Sequence, residues 1–390
     1  MNYNFDQMIE RRNTASYKWD QVERLFGDPA ILPMWVADMD FAAPPSVLEA
    51  IKKRVDHGVL GYTIRPQSYY DAIMGWLKRR HDWKIEQEWI TTSPGVVTAL
   101  SMLVDLLTQP GDKVIIQTPV YPPFYDVVNK NNRTLIQNPL LLEDRYYSMD
   151  FAALEEQMMD PETKLMLLCN PHNPVGRVWR REELIQLGDL ALKHGVFIIS
   201  DEIHCDWIYP GYQHIPFASL SEEFALNSIT CIAPTKTFNL AGIQTSTVII
   251  ADPSRRKEYN DRLSTLSLHL ESCFGLIAVE AAFNEGDEWL DELIEYVRSN
   301  LEYLTDFIGQ YLPKIDVIKP EGTYLVWLDF RKLGLNSTQL KELMYQQAKV
   351  AFNEGSSFGK NGEGFLRVNL ACPRAILIEG LDRLKKALTP

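Results

Sequence analysis

The sequence predicts an α/β fold: a large domain with a mainly parallel central sheet flanked by helices, and a smaller α+β domain. Three observations carry this. From about residue 47 to 285 the short apolar runs "KVIIQ", "KLMLLC", "VFIIS", "SITCIA" and "STVII" alternate with helical patterns, as strands buried on both faces of a parallel sheet do. The last third changes to longer alternating stretches set among helices. A chain of 390 residues, 46% hydrophobic and 23% charged, exceeds one ordinary core and has a normal globular composition.

In chain order, "TTSPGVVTALSMLVDLL" sets a Ser-Pro-Gly turn before a helix whose apolar positions Val96, Val97, Leu100, Leu103, Val104 and Leu107 follow the helical period. Residues 181–194 repeat Leu184, Leu187, Leu190 and Ala191 at helical spacing, with Gly195 as the stop. Residues 258–312 read as two long helices broken at "NEGDEW". "EGTYLVWLDF" and "GFLRVNL" alternate like half-exposed strands, and 337–349 and 373–388 read as helices. The expected division is a large domain over 45–285 and a small one from 1–44 and 286–390.

A formal charge of −13 without a basic run argues against nucleic-acid and anionic-membrane partners and favours a small molecule. The start, "MNYNFDQMIERRNTASYKWD", lacks the apolar core of a signal peptide, and no run has the length of a membrane span, so a cytoplasmic protein is expected. Five scattered cysteines, none in C-x-x-C spacing, signal neither disulfides nor zinc, and no metal is expected. The acidic pairs Asp38 with Asp40 and Glu222 with Glu223 read as turn, cap or solvated-face residues.

Open parallel sheets place ligand groups just past the carboxyl ends of their strands. There "KLMLLC" runs into "NPHNPVG" with Asn170 and Asn173, "VFIIS" into "DEIHCD" with Asp201 and His204, and "SITCIA" into "PTKTF" with Thr235 and Lys236. Singly, each is a turn former, a cap or a solvated charge; together they bring an amide, a carboxylate and an amine to one rim. The helix after Gly95 points free N–H groups outward, which with its dipole suits a phosphate. These are the groups that pyridoxal 5′-phosphate requires: an amine for its aldehyde, a carboxylate for its ring nitrogen, an amide for its phenolate oxygen and a phosphate cradle. In "GFLRVNL" the alternation puts Arg367 on one face with Phe365 and Asn369, and a planar guanidinium matches a carboxylate through two parallel hydrogen bonds.

Along nearly its whole length the chain resembles the class I/II aminotransferase-like, fold-type I pyridoxal-phosphate enzymes, with the order Gly95, Tyr121, Asn173, Asp201, Lys236, Arg367. "MWVADMDFAAPP", "GYT", "NPHNPVG", "DEIHCD", "PTKTFNLAGIQ" and "EGTYLVWLDF" resemble the cystathionine β-lyase or cysteine-sulfur lyase branch. The resemblance implies the aspartate aminotransferase fold and a homodimer. It implies that Lys236 carries the Schiff base, Asp201 pairs the ring nitrogen and Asn173 donates to the phenolate oxygen. It further implies that Tyr121 stacks on the ring, that Gly95, Val96, Val97 and Thr235 serve the phosphate, and that Tyr62 reaches the phosphate of the neighbouring subunit. Arg367 would clamp the substrate carboxylate, with Tyr121 and Asn173 beside it.

Two positions depart from the wider family. Gln244 stands where many transaminases have a phosphate-binding arginine, and His204 where many have a tyrosine, so His204 is either a cofactor contact or a satisfied core histidine. Trp35 and Tyr324 read either as substrate contacts or as packing aromatics. The expected reaction is α,β-elimination on cystathionine, cysteine or another S-substituted cysteine, giving pyruvate, ammonia and a thiol or sulfide. Transamination of an L-amino acid is the alternative, since no residue forbids it, and a regulatory or binding protein retaining the fold is a further one.

Overall fold

The structure, a computed structural model, describes residues 2–389. Its main sheet contains β1 (Ile90–Ser93), β2 (Lys113–Thr118), β3 (Thr134–Pro139), β4 (Thr163–Cys169), β5 (Phe197–Asp201), β6 (Ser228–Ile232) and β7 (Ser246–Ile249). They lie in the order β1-β7-β6-β5-β4-β2-β3. Pairing is parallel from β3 through β2, β4 and β5 to β6. Only β7 is reversed, antiparallel to both β6 and β1. Direction leaves no trace in the pattern of "STVII", because a strand covered on both faces is apolar whichever way it runs.

Alternate residues of the central strands feed two separate cores. Val114, Ile116, Leu165, Leu167 and Ile199 pack with Ala99, Leu100, Leu103 and Val104 of the helix Val96–Leu107. Ile115, Met166, Leu168 and Ile198 pack with Leu184, Leu187 and Ala191 of the helix Arg181–His194 on the other side. That helix ends where predicted, at Gly195 with φ +68°.

Two strands of this sheet have no apolar run. β1 is "ITTS", yet all of it is buried. Its hydroxyls are satisfied inside the protein, Thr91 Oγ1 donating to Asn260 Oδ1 at 2.6 Å and Thr92 Oγ1 to Glu271 Oε1 at 2.5 Å, which offsets the cost of burying them. β3 is an edge strand with partly exposed residues.

The second sheet is antiparallel, β8 (Asp316–Ile318), β9 (Leu325–Asp329), β10 (Asn353–Glu354) and β11 (Phe365–Asn369), in the order β8-β9-β11-β10. The predicted half-exposure of β9 and β11 is not found: every residue of both is buried. Leu328, Leu366 and Val368 join the core that includes Leu304 and Leu377, from the helices Asp287–Tyr311 and Arg374–Leu388. Trp327 and Phe365 face the other way, stacked with ring centroids 5.2 Å apart, in the same cluster as Met166 and Ile198 of the main sheet. The polar alternates make buried contacts instead of meeting water, as Arg367 does with Asn173.

Between the sheets the chain forms helices Pro253–Thr265, Cys273–Glu285 and Asp287–Tyr311. The predicted break at "NEGDEW" falls at Gly286, but a second interruption over 266–272 splits the first expected helix. Predicted helix 337–349 appears as an α-turn, Ser337–Lys341, continued by a π-turn, Glu342–Ala348. Near the amino end, Leu32–Pro33 pairs in parallel with Val350–Ala351.

Candidate active site

The carboxyl ends of β2, β4, β5 and β6 share one rim. Because β7 runs backward, its beginning lies there too, with Ser246 opposite Ser93 at the end of β1. A cavity of about 300 Å³ opens at this rim, lined among others by Gly95, Val96, Val97, Tyr121, Asn173, Asp201, His204, Thr235, Lys236 and Gln244. These ten residues, all singled out in the sequence, therefore meet in one place. Arg367 stands behind Asn173, and Tyr62 is elsewhere, 95% exposed in the segment 58–66, which has no regular secondary structure.

Lys236 lies in a one-turn helix, Pro234–Thr237, directly after β6. Its Nζ donates to the Ala37 carbonyl at 2.6 Å, which also accepts from Tyr324 Oη at 3.0 Å. Burial, with help from the Arg367 charge, pushes the amine down to about 8 although Asp38 and Asp201 pull the other way. About a tenth of the amine is therefore neutral and nucleophilic at pH 7, far more than for an ordinary lysine. The main chain of Lys236 is held by Trp207, whose Nε1 donates to its carbonyl at 3.0 Å.

Asp201 ends β5, where burial pushes its carboxyl up to about 7. One backbone donor, Ile203 N–H at 3.2 Å, opposes this only in part. A cationic N–H beside it would satisfy the carboxylate. Asn173 sits in the loop after β4, and its Oδ1 accepts from Arg367 Nη1 at 2.9 Å. Its amide nitrogen has no protein partner among the described residues and is left to the cavity. Main-chain bonds fix this loop, Tyr121 N–H donating to the Asn173 carbonyl at 3.1 Å.

Arg367 is buried without a carboxylate. Nη2 donates to the Trp35 carbonyl at 2.9 Å and to Asn353 Oδ1 at 3.1 Å, while Nε has no partner. Burial pushes the guanidinium down to about 10, so an incoming carboxylate would restore what desolvation removed. Burial likewise pushes Tyr121 upward and His204 down to about 3, the latter helped by the Lys236 and Arg367 charges. His204 is not a satisfied core histidine, since its buried Nδ1 has no partner.

At the other end of the cavity the helix Val96–Leu107 begins after extended Gly95, whose φ is 179°. A Cβ at Gly95 would meet nothing within 4 Å, so the space beside it is open. The first-turn N–H groups have no intrahelical acceptor, the arrangement an anion takes. Amine, unpaired carboxylate, free amide and anion cradle thus fit pyridoxal phosphate in chemistry and in position. Gln244 lines the same end with φ 52°.

Sequence reasoning missed the main-chain contributions, such as the Ala37 carbonyl, which has no side-chain signature. Asp38 and Asp40 are not caps. Asp38 pairs with Arg11 at 2.6 Å, and Asp40 with Arg11 at 2.7 Å and with buried Lys18 at 2.5 Å. These pairs pin the segment that carries Ala37.

The profile of the aminotransferase class I and II family matches residues 31–384. Cystathionine beta-lyase PatB of Bacillus subtilis is 50% identical over 386 residues, covering 99% of this chain and 100% of that protein. The crystal structure of cystalysin from Treponema denticola, which contains pyridoxal 5′-phosphate, superimposes with a TM-score of 0.97 at 41% identity, covering 100% of this chain and 99% of that one. The PLP-bound C-S lyase from Staphylococcus hominis gives a TM-score of 0.94 at 35% identity, with coverage of 100% and 99%.

Proposed function

The chain belongs to the class I and II aminotransferase family, and from that premise we propose that it is a pyridoxal-phosphate-dependent carbon–sulfur lyase. It eliminates the sulfur substituent from L-cystathionine, L-cysteine or a related S-substituted cysteine, releasing pyruvate, ammonia and a thiol or sulfide. The observation that carries this is the convergence of Lys236, Asp201 and Asn173 on one cavity, with Arg367 hydrogen-bonded to Asn173 behind it, in a chain half identical to a cystathionine β-lyase.

When bound, the cofactor supplies an electron sink for negative charge at the substrate α-carbon. Asp201 would pair the ring nitrogen and keep that sink protonated and therefore strong. Asn173 would give its amide N–H to the phenolate oxygen, and Tyr121 would cover the ring. Val96, Val97 and Thr235 would hold the phosphate where Gly95 leaves room, and His204, in the turn after β5, would stand against the ring. Arg367 fixes the substrate carboxylate, so that the α-hydrogen points at Lys236. With its lowered affinity for protons, Lys236 Nζ takes the α-proton as general base. It then returns a proton to the departing sulfur, which leaves as a neutral thiol.

The site is completed in a homodimer, with Tyr62 reaching the phosphate of the neighbouring subunit. Support comes from Val59, Leu60, Tyr62 and Ile64, an exposed apolar run of the kind that marks an interface. The division into a large unit, 45–285, and a small one, 1–44 with 286–390, fits the two sheets, each lying within one range. A cytoplasmic setting is in keeping with five free cysteines; among the described residues no helix is long and apolar enough to cross a membrane.

The test is to incubate the pyridoxal-phosphate-loaded protein with L-cystathionine and assay pyruvate and ammonia without any keto acid. Release of both is expected. Product that appears only when a keto acid is added would make the protein a transaminase instead.

A further inference from the structure

Behind the lysine turn lies a second group of polar side chains that the reaction does not use. His81 ends the helix Gln67–His81, and Cys205 and Asp206 follow β5. An imidazole nitrogen, the thiol sulfur and a carboxylate oxygen of these three residues lie within 4.8 Å of one another, and all three residues are buried. We propose that His81, Cys205 and Asp206 bind a thiophilic divalent cation of the Zn²⁺ class, and that the bound ion inhibits the enzyme through the lysine turn.

The donor set is the first argument, since nitrogen, sulfur and carboxylate oxygen are the ligands Zn²⁺ takes, at about 2.0–2.3 Å. Access is the second. A cavity of about 450 Å³ reaches His81, Cys205, Asp206 and His214. The third is an orphan: His214 is 3% exposed, its Nδ1 has no partner among the described residues, and its ring lies 5.3 Å from that of His81. It or a water from the cavity can supply the fourth ligand. Arg79 and Arg80 also line this cavity, but they are paired with Asp287 and Asp291.

His81 Nε2 now lies 2.8 Å from Asp206 Oδ1. On binding, the ion takes the place of the hydrogen between them: that proton passes to solvent, and the imidazole binds through Nε2 as the neutral ring with its hydrogen on Nδ1. The Cys205 sulfur bonds the ion as thiolate, its proton passing to solvent. Asp206 also accepts from Thr237 Oγ1 at 2.6 Å and from Trp76 Nε1 at 3.0 Å. Thr237 follows Lys236, and Trp207, next to Asp206, holds the Lys236 carbonyl. An ion that draws Asp206 toward Cys205 therefore shifts the turn that aims Nζ, lowering turnover without occupying the substrate site.

Titrating zinc chloride into the holoenzyme by calorimetry should show one ion bound per chain, and zinc should lower kcat while leaving KM unchanged. Cys205→Ala should keep basal turnover and lose zinc affinity by more than about tenfold, with matching relief of inhibition. His81→Gln should lose the same affinity, which covers the case in which one variant fails to fold. Absence of binding to the wild type, or full affinity in both variants, overturns the proposal. The inhibition arm rests on the lyase reading and the calorimetric arm does not: binding that the variants abolish, on a protein without lyase activity, would refute the reaction and leave the site standing.

Discussion

Asp201 ends a buried strand with one backbone donor and no ion-pair partner among the described residues. Its carboxyl is pushed from 3.8 up to about 7, chiefly by burial. In the cofactor-free protein the folded state therefore holds a proton that the unfolded chain has already released. Stability contributed by this group is lost as pH rises from about 4 through about 7. At about 1.4 kcal/mol per unit the full cost is about 4 kcal/mol. Asp201→Asn should accordingly stabilise the apoprotein by about 4 kcal/mol at pH 8 and by less than about 2 at pH 5, read from urea midpoints at both values. Added pyridoxal phosphate should stabilise the wild type far more than the variant; an equal gain would remove Asp201 from the ring nitrogen. Residues of this kind are legible in a sequence when several follow successive apolar strands, because the turn, cap or surface reading that suits each one alone does not account for all of them on one rim. Lys236, Asp201 and Asn173 were readable on that ground. The Ala37 carbonyl and the Trp207 indole were not, since neither a main-chain acceptor nor an aromatic in a turn stands out from ordinary packing.

Among elements, the loop that carries Asn173 is fastened to the small sheet's side of the molecule. Gly176 has φ +73°, and a Cβ there would come within 2.5 Å of Pro320 Cβ, so only glycine lets the two segments cross. Next to it Arg177 donates to Glu321 and to Glu183, both at 2.8 Å, and Glu321 also accepts from Val178 N–H at 2.9 Å. Glu321→Ala should destabilise by about 3 kcal/mol, the low end for a broken buried pair, because Glu183 remains to hold the arginine. Glu321→Gln keeps an acceptor and should lose less in the same urea titration. Strands were legible wherever burial was apolar. β1 escaped notice because internal hydrogen bonds let threonine and serine be buried, and the exposure of β9 and β11 was misjudged because alternation distinguishes two faces without saying what covers each.

For the whole molecule, the proposed exchange of Tyr62 between subunits has a test in mixed dimers. Lys236→Ala disables the chain's own site, and Tyr62→Ala impairs the site across the interface. When the two variants are mixed and allowed to reassort, half of the dimers are hybrids, and each hybrid has one site with both residues intact. About a quarter of wild-type activity should return, whereas contribution within one chain would restore none. The reversed direction of β7 has another kind of consequence. In a parallel neighbour, the chain leaving β6 would have to cross the whole sheet through a helix before re-entering. Here it leaves and re-enters at the same rim, so residues 233–245, with Thr235, Lys236 and Gln244, form one uninterrupted loop, tied to its surroundings by side-chain and main-chain hydrogen bonds. Such a segment can be replaced as a cassette, its chemistry altered or lengthened, while the threading of every strand around it stays as it was.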